Sequence, residues 1–383
     1  MGEERRDGPL AGLTVIEMAG LGPVPLAGLM LAELGARVVR VERKAKARSF
    51  LHVPPEFDLD RHGRDIVKVD LKDPRGTALV LDLIAGADVV IEGFRPGVME
   101  RLGLGPDVCM KRNAKLVFAR QTGFGQDGPL ADRAGHDITY LAYSGALHAI
   151  GEKDGKPIPP LNLVADFGGG TMFLLTGLLA ALVERGISGK GQVVDAAMID
   201  GVAMLTAPFH SFLATGFWKD RRGSNLLDTG APFYDTYETA DGRHVAVGCL
   251  EPQFFAEFAR LLPLDTAFVS RQYDLSSWGG MRAAIAARFR EKTRDEWAAI
   301  FEPTEACVAP VLSLAEATRH PHNVARNVFA AKGKMTRPRP APRFSRTPGE
   351  VAAMGDGNAA DSLASLGVAA DRIDELMRAE VIG

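Results

Sequence analysis

Short runs of β-branched residues, each followed by a helix-forming stretch, limit this chain to a doubly wound sheet. Leu13–Met18 (LTVIEM) reads as a buried strand, and a Gly/Pro-rich turn (AGLGPVP) leads from it into helical spacing over Leu26–Leu34. Gly35-Ala36 ends that helix, and Arg37–Glu42 (RVVRVE) is the next strand. Such a strand–helix–strand unit seeds a parallel sheet with helices on its faces. The alternation continues with a strand at Ile66–Val69, a helix at Pro74–Ala85 and a strand at Asp88–Glu92. A turn then enters a helix with Pro96 as its first residue, and Leu116–Ala119 is a further strand. Later, Gln192–Ile199 reads as a strand and Asp200–Thr215 as one helix.

A different pattern opens at Tyr234–Thr239 and Arg243–Cys249, two strands with Asp241-Gly242 between them, which is a hairpin signal. Helices near Pro252–Leu262, Gly280–Lys292 and Arg294–Phe301 complete an α+β pattern. With 383 residues, two domains are expected. The division is 1–205 with 335–383 as a large domain, 206–227 as a linker, 228–325 as a smaller domain and 326–334 as a second linker. Lys332–Arg346, basic and proline-rich, reads as an extended arm returning across the first domain, and Ala370–Ile382 holds a short amphipathic helix.

The totals exclude several classes of function. A hydrophobic fraction of 46% and a charged fraction of 24% are those of an ordinary soluble protein. A net charge of −3 offers nucleic acid no attraction. Cys109, Cys249 and Cys307 lie far apart and in no metal-ligand spacing, so neither a disulfide framework nor a metal is expected. The N-terminus lacks the apolar core of a signal peptide, and the apolar run near Met172–Val183 is too short to span a bilayer. A cytoplasmic protein without a membrane partner is expected.

Gly20-x-Gly22 followed by Glu42 tempts a dinucleotide reading, but Pro25 replaces the third glycine and the NAD fingerprint is incomplete. Arg43, Lys72, Arg95 and Arg101 follow strand ends or occupy the turns there, the edge at which open α/β sheets bind ligands. They suit a phosphate-bearing ligand, or are plain solvated charges. Two titratable groups, His136 and Asp166, each fall where a helix begins. Beside backbone N–H donors they could move a proton next to a developing oxyanion; each could equally be a helix cap or a satisfied polar residue.

The segments PLAGLTVIEMAGLGPVPLAGLMLAELGARVVRVER, VDLKDPRG, IEGFRPGVMERLGLGP, TGFGQDGP, AGHDITY, PPLNLVADFGGG, GKGQVVDAAMIDG, APFYDTYETADGRHVAVGCLEPQF and PAPRFSRTPG occur in this order. Together they resemble the family III CoA-transferase superfamily, and within it the racemases of 2-methylacyl-CoA esters. The resemblance implies a Rossmann-like large domain, a smaller α+β domain and an interlocked homodimer. It implies that His136 and Asp166 are catalytic, that Glu251 pairs with the histidine from the partner subunit, and that Asn162 and Tyr234 support the site. CoA would be held by Arg43, Val69, Asp70, Leu71, Lys72, Gly93, Phe94, Arg95 and Arg101, with Gly135, Asp137, Ile138, Thr139 and Tyr140. The only cofactor implied is the CoA moiety of the substrate.

The implied reaction is epimerisation through an enolate, with one acid/base on each face of the α-carbon. Two rivals remain: a CoA-transferase using Asp166 as nucleophile, and a catalytically silent acyl-CoA-binding protein. One tension concerns the base, because a helix N-terminus depresses a carboxylate's pKa and burial would have to offset that. The chain departs from the family in residues 44–65, where Asp60-Arg-His-Gly-Arg-Asp65 replaces an Asn-Arg-Gly-Lys-Arg-type run. That leaves the acyl group open.

Overall fold

The computed structural model describes residues 7–44, 53–355 and 358–383. Residues 45–52 of the divergent loop lie outside them. In chain order the first elements are β1 (Thr14–Met18), α1 (Pro23–Glu33), β2 (Arg37–Arg43), β3 (Arg64–Val69), α2 (Pro74–Ala85), β4 (Val89–Glu92), α3 (Val98–Arg101), α4 (Pro106–Arg112), β5 (Val117–Thr122), α5 (Asp137–Tyr143) and α6 (Ala146–Ala149). A π-helical segment, Leu163–Thr171, then runs directly into α7 (Met172–Ser188), followed by β6 (Val193–Ala197), α8 (Met198–Leu205) and α9 (Ala207–Ala214). Next come β7 (Tyr234–Glu238), β8 (His244–Gly248), α10 (Pro252–Leu261), α11 (Trp278–Phe289), α12 (Arg294–Phe301) and β9 (Val308–Pro310).

The chain forms two compact units: Met1–Ser144 with Leu161–Leu205 and Ala325–Gly383, and Gly145–Pro160 with Thr206–Val324. In the first, a six-stranded sheet has the order β3-β2-β1-β4-β5-β6 with every pairing parallel. Strand alternation sends neighbouring residues to opposite layers. Val15, Val38, Val89 and Val117 pack with α1 and α7, while Ile16, Val39, Val90 and Phe118 pack with α2, α4 and the C-terminal helices. Buried charge is matched within this layer. Glu17, fully buried, takes ion pairs from Arg40 and Arg64, and Arg120 bridges Glu92 (2.8 Å) and Glu100 (2.7 Å).

The second unit carries an antiparallel sheet, β7-β8-β9. Its core is aromatic, with Phe233, Phe255, Phe258, Phe289, Trp297 and Phe301 buried together. The insertion Gly145–Pro160, assigned by sequence to the large domain, groups here because Arg222 donates to the carbonyls of His148 and Gly155 (2.6 Å).

Several elements differ from the sequence reading, each for a local reason. Pro96 does not open a helix; the turn persists to Gly97, whose φ of 76° is left-handed, and α3 starts at Val98. The expected helix Asp200–Thr215 is two, α8 and α9, because Pro208 cannot donate a helical N–H and restarts the helix after Thr206. The basic arm begins inside an antiparallel hairpin, β10 (Phe329–Lys332) with β11 (Met335–Pro338). Arg337 anchors it to Glu33 at 3.2 Å, and the Ala352 N–H donates to the same carboxylate. Finally, the run ending in α7 is a continuous helix of 26 residues, Leu163–Ser188, long and apolar enough by composition to cross a bilayer. Here Leu174, Leu175, Leu178 and Ala181 pack into the sheet layer.

Candidate active site

At the carboxyl edge of the first unit's sheet, the cations expected from sequence are exposed. Arg43 ends β2, Lys72 follows β3, Arg95 lies in the turn after β4 and Arg101 closes α3. None of the four side chains has an ion-pair or hydrogen-bond partner among the described residues, unlike Arg40, Arg64 and Arg120. The connecting backbone is held rigidly. Val69 bridges Ile382, the Asp70 N–H donates to the Val381 carbonyl, and Asp70 Oδ1 accepts the Lys72 N–H at 3.0 Å. Leu71 follows, its carbonyl accepting from Thr77 Oγ1. Buried Glu92 accepts the Phe94 N–H at 2.7 Å, which fixes the Gly93-Phe94-Arg95 turn. Gly93 has room for no side chain, since a Cβ would meet Val24 at 2.9 Å.

The segment Gly135–Tyr140 leads into α5. Tyr140 is buried against Phe124, edge to face at 5.0 Å, and a side chain at Gly123 or Gly135 would strike its ring. Burial pushes its phenol up to about 12, the Asp166 carboxylate adding to the shift. His136 stands at the N-cap of α5 with its backbone fixed by Thr139, whose Oγ1 accepts the His136 N–H (2.9 Å) and donates to the His136 carbonyl (2.7 Å). The imidazole is exposed. The Asp137 and Ile138 N–H groups are first-turn donors that α5 itself does not use.

Asp166 lies in the first turn of a helix, as the sequence suggested, but that turn is π-helical and begins at Leu163. Wide π turns let the glycines 168–170 pack tightly; a Cβ on Gly169 would meet Val202 at 2.8 Å. The anticipated weakening of this carboxylate as a base does not occur. Burial raises its pKa, and Asp137 raises it further, against the Asn162 hydrogen bond (3.3 Å) and His136, which lower it.

Sequence reasoning missed two contributors. Gly22, at φ 71°, backs the Asp166 carboxylate, and a Cβ there would lie 3.5 Å from Asp166 Oδ2. The loop read as a possible phosphate cradle is therefore part of the aspartate's pocket. Pro23 and Pro25 strip two amide donors from the first turn of α1, so it is a poor pyrophosphate site. The other contributor is the Asp137 side chain, which the resemblance assigned to CoA. It is 7% exposed, and its Oδ2 accepts the N–H groups of Ala165 (2.9 Å) and Asp166 (2.8 Å). Low hydropathy beside a catalytic-type histidine gave no hint of a buried cap. Glu251, at the N-cap of α10, and Tyr234, first in β7, are both exposed and belong to the second unit. Among the described residues, no cluster of three or more His, Cys, Asp or Glu side chains could hold a metal.

Residues 10–354 match the model of CoA-transferase family III. This chain belongs to that family. It is 45% identical over 349 residues to the alpha-methylacyl-CoA racemase of Mus musculus, covering 91% of this chain and 89% of the relative. The corresponding racemase of Homo sapiens is 43% identical over 342 residues, covering 88% and 87%. A CAIB/BAIF family protein from Brucella suis has the same fold, with a TM-score of 0.80 and 26% identity over 94% of this chain and 100% of that one.

Proposed function

We propose that the chain is an α-methylacyl-CoA racemase, interconverting the 2R and 2S thioesters by removing and returning the α-proton. The observation that carries this reading is the pair His136 and Asp166, held in one site of the first unit within a chain so similar to two racemases. A thioester α-proton is far less acidic than either side chain, so the enolate oxygen must be stabilised as it forms. The free N–H groups at the start of α5 supply that stabilisation. One epimer loses its proton to His136 and regains one from Asp166, and the other epimer reverses the roles. The raised proton affinity of Asp166 suits both duties, because a carboxylate nearer neutrality is a better base and a readier donor.

The unpaired Arg43, Lys72, Arg95 and Arg101 are assigned to the CoA phosphates, with Asn162 steadying Asp166. From a second copy, Glu251 is assigned to fix the His136 tautomer and Tyr234 to border the acyl group. The exposed apolar residues of α7, Val183 and Ile187 (69% and 86% exposed), support a homodimer.

A single acyl-CoA in D₂O, with no free acid present, tests the reading. Deuterium should enter the α-position, and Asp166→Asn should slow that entry by about 10²–10⁴-fold. CoA movement to an added acid with no α-exchange would instead favour Asp166 as a transferase nucleophile. Binding without either reaction would leave only a CoA-ester carrier.

A further inference from the structure

The carboxylate of Asp137 joins the two proposed proton-transfer groups. The Ala165 and Asp166 amides lie in the first turn of the helical segment starting at Leu163, where no intrahelical acceptor exists. Asn162, which holds the N-cap position, does not supply one; its side chain donates to Asp166 Oδ2 instead. The acceptor comes from residue 137, adjacent in the chain to His136. Between the imidazole-bearing residue and the Asp166 backbone there is thus only one peptide link and one hydrogen-bonded carboxylate.

We propose that Asp137 is a positioning residue: its buried carboxylate fixes the spacing of His136 and Asp166 and places a negative charge beside Asp166. This rests on the racemase reading for its consequence in turnover, but not for its geometry. The titratable groups bearing on Asp166 are Asp137, His136 and Tyr140, all on α5 or at its cap. From α1 the neighbour is Gly22, which carries no charge, and Asp195 of β6 and Asp200 of α8 act on one another. Two like charges in one site make ionisation of Asp166 harder, and the second Asp137 oxygen is buried without a hydrogen-bond partner among the described residues; the cation acting on this group, Arg95, bears on Tyr140.

Asp137→Asn keeps an oxygen in place for both amides and removes the charge. The acid limb of the pH profile for α-exchange should then move down by about half to one pH unit, with kcat falling roughly three- to tenfold. The KM for the CoA ester should stay within about twofold, because the side chain faces protein amides rather than CoA. Asn162→Ala, which removes a hydrogen bond to the ionised form, should move the same limb up. Asp137→Ala, which releases both amides, should cost kcat about 10²-fold through misplacement. An unmoved acid limb in Asp137→Asn, or a raised KM at unchanged kcat, overturns the proposal.

A second measurement needs no variant and no substrate. Hydrogen exchange on the wild-type protein should find the Ala165 and Asp166 amides as protected as those in the middle of a helix. Fast exchange there overturns the proposal whatever the reaction. Protected amides in a protein that shows no α-exchange would instead overturn the racemase reading and leave the positioning role standing.

Discussion

The two units treat most of their perturbed carboxylates in opposite ways, Asp73 and Glu100 of the first, lowered by hydrogen bonds to arginines, being the exceptions. Otherwise in the first, Glu33, Asp60, Glu92, Asp166 and Asp195 all have raised pKa values, each chiefly through burial. In the second, Asp154, Asp241, Asp274, Glu296 and Glu316 are all lowered, chiefly by hydrogen bonds at the surface to arginines, hydroxyls or capped amides. The second unit spends its acids on helix caps and turns, where ionisation is stabilised. The first carries them inside the sheet layer and at its edge, where ionisation is opposed by desolvation. The acid assigned to proton transfer, Asp166, lies in the unit that already holds carboxylates in this condition. The cations follow the same division within the first unit: Arg40, Arg64 and Arg120 are matched to buried acids, whereas Arg43, Lys72, Arg95 and Arg101 remain available.

The largest effect should come from breaking the buried match. Glu17→Ala leaves the buried Arg64 without its carboxylate partner and Arg40 with only Glu42 and Asp60, at an expected loss of about 3–5 kcal/mol. Gly28 exists to make this pairing possible, since a Cβ there would collide with Glu17 and meet the Arg64 guanidinium at 2.8 Å. Denaturant unfolding followed through the sheet amides checks it. A loss below about 1 kcal/mol would mean the triad is solvated and the contrast between units is smaller than drawn.

Acidification should separate the units, because raised carboxylates predominate in the first and lowered ones in the second. A lowered pKa means stability that is present above the ordinary carboxylate value and is lost as pH falls through the folded value. For Asp274, held at about 2 by its bonds to Ser276 and Arg271, that window runs from about pH 4 down to about pH 2. A raised pKa has the opposite consequence. For Glu33, Asp60 and Glu92 the contribution is fully present below the ordinary value and is lost as pH rises through the folded one. Trp218, Trp278 and Trp297 all lie in the second unit, so tryptophan fluorescence reports that unit alone. Between pH 4 and 2 the fluorescence transition should precede loss of amide protection in the parallel sheet. Coincident transitions would show that the units unfold as one.

The sheet was legible because every strand announces itself. TVIEM, RVVRVER and VVIE are short runs rich in valine and isoleucine, legible as strands despite the charged residues within them, and a run buried on both faces needs no strict alternation to be read. His136 and Asp166 were legible as residue types, but not their settings. The π-helical start at Leu163 depends on an acceptor, Asp137, that belongs to another helix, and no local propensity signals a cap delivered across the fold. The role of Gly22 was hidden for the same reason. Its glycine is explained by a carboxylate far along the chain rather than by a phosphate at the neighbouring helix. The hairpin at 329–338 was hidden by the proline-rich run that begins at its last residue, Pro338, and the Arg337–Glu33 pair that anchors it is a long-range contact.

The smallest effect sharpens the contrast from the second unit's side. Thr293 and Glu296 cap α12 reciprocally: Glu296 Oε2 accepts the Thr293 N–H at 2.8 Å and its hydroxyl at 2.7 Å, and Thr293 Oγ1 accepts the Glu296 N–H at 3.3 Å. Thr293→Ala removes the hydroxyl from both exchanges and should cost about 1 kcal/mol. Because the hydroxyl bond is one of those that lower the Glu296 pKa, the variant's acid transition, read by fluorescence, should also move to higher pH. The sheet amides of the first unit should keep their wild-type protection at every pH. A matching loss in those amides would tie the two acid inventories together, and the difference between the units would then be one of surface chemistry rather than of independent stability.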